Sequence, residues 1–206
     1  MLTIDDLHIY RWNGNIVPGV TEILFDLGFI KENPWAKPEA KLKGQYAHKA
    51  IQYYEEGDLD MDSVDPDIQP YFDAWVQYRH WSGPSTDPKA ALVVTDLKTG
   101  QKKDWHALQV AGYSLLSSQL LLMSLNGKAW ETVVEKPLFH QLLGYAGTPD
   151  RIQYQPASPL GAPREGRIVY LQQDSRFKVE QVTTLGADER AFLACLTVYN
   201  RKRRAR

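Results

Sequence analysis

Asp96 and Lys98 stand two apart in Ala91-Leu-Val-Val-Thr-Asp-Leu-Lys-Thr-Gly100, behind a run of β-branched and aliphatic residues and just before a Thr-Gly break. Side chains alternate along a strand, so the carboxylate and the ammonium share one face and Leu97 takes the other. Such a pair past an apolar run packs poorly and suits chemistry; read blandly, it is an ion pair closing a strand end. Three further groupings have comparable potential. Gly44 and His48 are four apart, hence on one helical face, and the glycine lets another element come close. Taken alone, His48 reads more simply as a satisfied surface or core histidine. Gln109 and Tyr113 share a helical face in the same way. Asp150 follows Pro149 in the strand-like run Tyr145–Tyr154, where a proline signals an edge or a bulge that can re-aim a side chain at a site.

The elements that must place these residues follow from local pattern. Residues 2–16 read as a short hairpin with Asn13-Gly14 as a type I′ turn. Thr21 is expected to cap a helix starting at Glu22. Residues 33–38 form a loop, and a helix over 40–56 carries Gly44 and His48. Asp65-Pro66 opens another helix, whose apolar stripe Ile68, Tyr71, Phe72, Trp75 and Val76 is most simply core. After a loop at 82–88 and the Asp96 strand, Asp104 caps a helix to Leu122, and Asn126-Gly127 turns the chain. One strand spans Glu131–His140 and a second Tyr145–Tyr154, with a Pro/Gly/Ser-rich loop over 156–166. A hairpin of 167–171 and 177–182 follows, and Asp188 opens a last helix. That gives a single domain over 1–206, helical over 1–82 and sheet-bearing over 83–206, of the α/β (α+β) class.

Composition narrows the partners. Hydrophobic residues make up 43% and charged residues 24%, the balance of an ordinary globular chain with a real core. Net charge is −1, so only a local basic patch could favour a nucleic acid, and Arg201–Arg206 is the dense one. Those cations also complement the dipole of the helix they end. The single Cys195 excludes an internal disulfide and a cysteine zinc cluster. No signal peptide opens the chain and no apolar run reaches membrane length, so the expected location is intracellular and cytoplasmic, with no membrane association. Six Trp and eleven Tyr are many for this length. Most belong in the core, but Trp35, Tyr46, Tyr53 and Tyr54 could stack on the bases of a single strand.

Taken together, Gly44-x-x-x-His48, Asp96-Leu-Lys98, Gln109-x-x-x-Tyr113 and Gly147-Thr-Pro-Asp150 resemble the PD-(D/E)xK nuclease superfamily, and within it the RecB-like exonuclease branch. Val17–Leu24, Gly57–Asp60 and Gly144–Arg151 are similar to a phage and mitochondrial subgroup, that of the mitochondrial genome maintenance exonucleases, which act on single-stranded DNA ends. The likeness covers most of the chain; each motif is weak alone and fairly specific in combination. It implies a restriction-endonuclease-like mixed central sheet flanked by helices and a Mg²⁺- or Mn²⁺-dependent exodeoxyribonuclease, cytoplasmic in a bacterial or phage-like setting. Its metal ligands would be Asp96, Asp150, the Leu97 carbonyl and His48, the nitrogen favouring Mn²⁺. Glu135 would hold a second metal or pair with Lys136 or Arg151. Lys98 would orient the attacking water or offset charge on the phosphate, and Gln109 and Tyr113 would position the phosphate or the nucleophile.

The order of the motifs departs from the family. There the Pro-Asp strand comes first and its Asp-x-Lys neighbour second; here residues 84–128 have traded places with 131–155, a permutation that is either natural or engineered. The junctions are loop-like, where rearrangement is best tolerated. If a site survives, the strands of Asp96 and Asp150 must still be neighbours, with the two carboxylates within roughly 6 Å and His48 pointing into the same pocket. The alternative is a catalytically inactive or redesigned nucleic-acid-binding protein of the same fold; a restriction-type endonuclease is a further reading.

Overall fold

The structure is a computed structural model and describes residues 1–5, 7–31, 38–82, 89–122, 130–156, 158 and 161–205. The chain begins with an antiparallel meander of β1 (Leu2–Ile4), β2 (Tyr10–Trp12) and β3 (Asn15–Val17), one strand more than a hairpin. Between β2 and β3, Asn13 and Gly14 have φ of 48° and 83°, both positive as a type I′ turn requires. Helix α1 (Val20–Asp26) starts earlier than Thr21 implies: Gly19 is its cap, and Glu22 accepts from the Gly19 N–H at 3.3 Å. Thr21 is thereby inside the first turn. Helix α2 (Pro38–Glu56) carries Gly44 and His48. Helix α3 (Gln69–Trp81) begins after Asp65, whose carboxylate accepts from the Asp67 N–H at 2.8 Å and holds a turn instead.

Strand β4 (Leu92–Lys98) ends on the Asp96–Lys98 pair, and α4 (His106–Ser117) follows, extended by a 3₁₀ turn at Ser118–Leu122. No side chain caps α4, so Asp104 does not do what its position implies. Each of the two long strands expected next is two. β5 (Glu131–Val134) and β6 (Leu138–His140) are parted where Glu135 takes a φ of 46° before Lys136-Pro137. β7 (Tyr145–Gly147) and β8 (Arg151–Tyr154) are parted at Thr148-Pro149-Asp150. Proline offers no ladder N–H, so both breaks fall where a strand cannot continue pairing. The chain closes with β9 (Arg164–Leu171), β10 (Phe177–Gln181) and α5 (Leu185–Arg204), which starts before Asp188. The expected turn at Asn126-Gly127, Trp35 and most of the loops over 33–38 and 82–88 lie outside the described residues.

The main sheet is mixed, in the order β10-β9-β4-β8-β5, with helices on both faces, and the class is α/β (α+β). β4 is central, antiparallel to β8 and parallel to β9, with Thr95 opposite both Arg151 and Arg167. The strands of Asp96 and Asp150 are therefore direct neighbours, although a helix and β5 to β7 separate them in the chain. β6 and β7 pair with each other in a small second sheet. Two apolar clusters cover opposite faces of the main sheet. Leu92, Val94, Ile152 and Ile168 pack with α1, α4 and α5. Leu97, Val169 and Leu171 pack with α2 and α3, where Phe72, Trp75 and Tyr78 are fully buried. Each such side chain contributes about 1.5–3 kcal/mol or more by burial, enough to hold both layers on β4. No helix among the described residues is long and apolar enough to cross a membrane.

Candidate active site

Alternation along β4 puts Leu97 into the α2/α3 core and turns Asp96 to the other face, with Asp96 almost wholly buried and Lys98 half-buried. Lys98 Nζ lies 2.6 Å from Asp96 Oδ2, an ion pair set by distance rather than by hydrogen-bond geometry. One strand over, Asp150 sits at the break before β8. Its Oδ2 accepts from the Leu97 N–H at 2.5 Å, which ties the two strand ends together. Its Oδ1 is 3.2 Å from Nδ1 of His48, and Glu135 Oε1 is 3.9 Å from the same nitrogen. His48, Glu135 and Asp150 each offer a donor atom within 4.8 Å of the others, a set that could hold a metal ion. One nitrogen and two carboxylates, with a third carboxylate beside them, make a mixed nitrogen and oxygen set of the kind that divalent cations take.

The structure brings His48, Glu135, Asp150, Asp96 and Lys98 together, but Asp96 is paired with Lys98 and stands outside the three-donor set. Leu97 meets Asp150 through its amide N–H.

Local features fix each donor. A Cβ on Gly44 would lie 2.9 Å from Thr99 Oγ1, so the glycine lets α2 ride against the end of β4 and delivers His48 one turn later. Gly147 does the same for α4: a Cβ there would be 2.9 Å from Tyr113 Cε1, so the tyrosine ring lies flush on the Gly-Thr-Pro-Asp segment. Glu135 is held in the left-handed region, which costs a non-glycine residue about 1 kcal/mol or more. Its N–H donates to the Asp150 carbonyl at 3.1 Å, so the residue turns off β5 while staying beside Asp150.

Gln109 and Tyr113 are buried on α4, and Gln109 Nε2 donates to Tyr113 Oη at 3.2 Å and to Thr21 Oγ1 at 3.3 Å. Gln109 Oε1 is buried with no hydrogen-bond partner among the described residues, an acceptor left for a water or a ligand.

The charges do not balance internally. Burial pushes the Glu135 carboxyl up to about 7, with repulsion from Asp150 adding to it. Burial likewise raises Asp96 to about 6; Lys98 opposes the rise and Asp150 reinforces it. For Asp150 burial works upward, but His48, Lys98 and the Leu97 N–H outweigh it and bring the carboxyl down to about 2. Burial disfavours a charged His48, yet Asp150 and Glu135 overcome this and lift it to about 10. Desolvation and the Asp96 charge drive the Tyr113 hydroxyl well above its usual range, so it stays a proton donor.

Supporting residues escaped the sequence reading. The Tyr10 and Thr148 hydroxyls share a hydrogen bond of 2.9 Å that pins the loop before Asp150. Thr21, expected as a cap, instead orients Gln109. Glu55, two turns along α2 from His48, meets Arg79 at 2.5 Å, Trp75 Nε1 at 3.1 Å and Arg151 at 3.4 Å. The seven-residue spacing of His48 and Glu55 was the available signal, since it puts both on one face of α2.

Compared with known proteins, the chain matches no family model, no curated protein and no solved structure.

Proposed function

We propose that the chain is a metal-dependent DNA exonuclease that hydrolyses phosphodiester bonds from single-stranded ends, a RecB-like PD-(D/E)xK enzyme whose restriction-endonuclease-like core is threaded in permuted order. The observation that carries this reading is the three-donor set of His48, Glu135 and Asp150, one strand away from the Asp96–Lys98 pair. The adjacency of β4 and β8 supports it further, since the motifs meet in space despite their exchanged order.

His48, Glu135 and Asp150 would hold Mg²⁺ or Mn²⁺, with Asp96 completing the set once Lys98 releases it. The ion would offset phosphate charge and acidify a water. Lys98 then turns its ammonium from Asp96 to the phosphate or the attacking water. Gln109 accepts from the nucleophile at its free Oε1, and Tyr113 keeps its proton and donates to the phosphate or the nucleophile. Gly44 and Gly147 hold α2 and α4 close enough for these groups to converge.

The test is release of nucleotides from a labelled single-stranded oligonucleotide with Mn²⁺ or Mg²⁺ and with EDTA. Divalent-dependent cleavage that disappears in Asp96→Ala, with the fold intact by circular dichroism, is the expected result. Full activity in that variant, or cutting of a circular single strand, removes the exonuclease assignment. One observation favours a second reading, an inactive nucleic-acid-binding protein of the same fold: Asp96 is already neutralised by Lys98. DNA binding with no cleavage in any divalent metal would select it.

A further inference from the structure

A groove of about 550 Å³ opens where β4 and β9 end side by side. Thr99, the residue after Lys98 and the one Gly44 packs against, is part of its wall. We infer that this groove holds the nucleic-acid strand beside the bond to be cut, taking one or two unpaired nucleotides with Lys178 on a phosphate; the inference rests on the nuclease reading above.

Position is the first argument. In open sheets, ligands are received outside the carboxyl ends of parallel strands, and the groove and the Asp96–Lys98 pair share that end of β4. A strand whose phosphate lies at Lys98 has the groove as its next surface.

Size and chemistry give the second. The volume is that of a cleft for a drug-sized ligand, the scale of one or two nucleotides and not of a duplex. Tyr71, Tyr170 and Leu171, all nearly buried, line it with apolar edges for a sugar or a base edge. Gln172 and Gln173 are exposed at the rim and offer both donors and acceptors to base edges.

Charge gives the third. Lys102 at the rim is paired with Glu180 at 2.6 Å. Lys178 is exposed and makes no ion pair among the described residues, which leaves one uncompensated cation for an incoming phosphate. The whole chain has a net charge of −1, so attraction for a polyanion has to come from local cations of this kind.

The experiment measures binding of a fluorescent single-stranded 12-nucleotide DNA by anisotropy in EDTA, from low to moderate salt, for the full chain and three variants. Lys178→Glu is expected to weaken binding about tenfold and to lower the salt slope by about one, as the loss of one phosphate contact requires. Lys178→Arg should keep wild-type affinity and slope, and Gln172→Ala should weaken binding with the slope unchanged. Equal affinity of Lys178→Glu and wild type overturns the groove and leaves the nuclease reading standing. So does cleavage in Mn²⁺ without any binding in EDTA. A parallel loss in Lys178→Glu and Lys178→Arg with an unchanged slope reduces Lys178 to a structural role. A blunt duplex competing as well as the single strand removes the unpaired nucleotides. Neither binding nor cleavage by wild type takes down both proposals.

Discussion

Two clusters of buried charge meet β8 at consecutive residues, Asp150 and Arg151, and one face of α2 serves both. Around Arg151 every buried charge has an opposite charge in contact, although cations outnumber carboxylates and burial, with repulsion from Arg79, lowers the Arg151 guanidinium to about 10. The Glu55 carboxylate is met by Arg79, Arg151 and the Trp75 indole, and Arg151 Nη1 donates to Gln153 at 2.6 Å. Around Asp150 the excess is of carboxylates: Asp96, Glu135 and Asp150 share one imidazole and one lysine, and two of the three carboxyls are pushed toward neutral pH. A carboxylate held between two guanidiniums calls for no added cation and reads as architecture. A cluster whose carboxylates repel each other could hold a cation, and perturbed groups in such a constellation mark candidate sites.

The widest separation between the clusters should come from paired substitutions. Asp150→Asn keeps an acceptor for the Leu97 N–H but removes a charge; we expect cleavage to fall by about 10³-fold or more with stability nearly unchanged. Arg151→Met leaves Glu55 buried beside one guanidinium fewer and should destabilise by about 3 kcal/mol in urea unfolding. Asp150→Asn cleaving normally, or Arg151→Met unfolding like wild type, would erase the distinction.

A smaller effect is expected from proton linkage. His48 holds its proton up to about 10, and Glu135 and Asp96 titrate at about 7 and 6, so a metal must displace protons to bind. Mn²⁺ affinity in calorimetry should therefore rise from pH 6 to pH 8, with protons released to the buffer. Affinity that is flat with pH would mean the ion does not use these groups.

The smallest concerns His106, which neighbours both the pair and the groove. Its Nδ1 is 3.1 Å from the Tyr170 hydroxyl. Burial, with Lys98 and the nearby lysines adding to it, depresses it to about 3. A histidine depressed on folding binds fewer protons than in the unfolded chain. Its contribution to stability is present above the ordinary 6.5 and is lost as pH falls from there toward 3. His106→Gln should flatten the pH dependence of unfolding free energy over that window; an unchanged slope would refute the assignment.

The readable features were those with a local signature. The β-branched run fixed β4, the apolar stripe fixed the body of α3, and Asn13-Gly14 marked a turn through its need for positive φ. The spacings of Gly44 and His48, and of Gln109 and Tyr113, gave shared helical faces. What could not be read were decisions made by distant partners. Thr21 looks like a cap until Gly19 and Glu22 take that role and Gln109 claims its hydroxyl. Glu135 looks like mid-strand until the backbone turns at Lys136-Pro137. Glu55 carries no sign that Arg79 and Arg151 converge on it. Asp96 and Lys98 were placed on one face, and an ion pair at the strand end was one of the two readings of that spacing; that three other residues form the donor set is decided by the packing of α2 across two strands.

The order of the main sheet also governs how molecules can meet it. Its outer members are β5 and β10, only four and five residues long. β10 alternates Lys178 and Glu180, and β5 opens on Glu131 and leads into the Lys136-Pro137 turn. Short, charged borders are the means by which folded chains discourage edge-to-edge pairing and aggregation. Recognition by addition of a strand from another chain is thereby disfavoured.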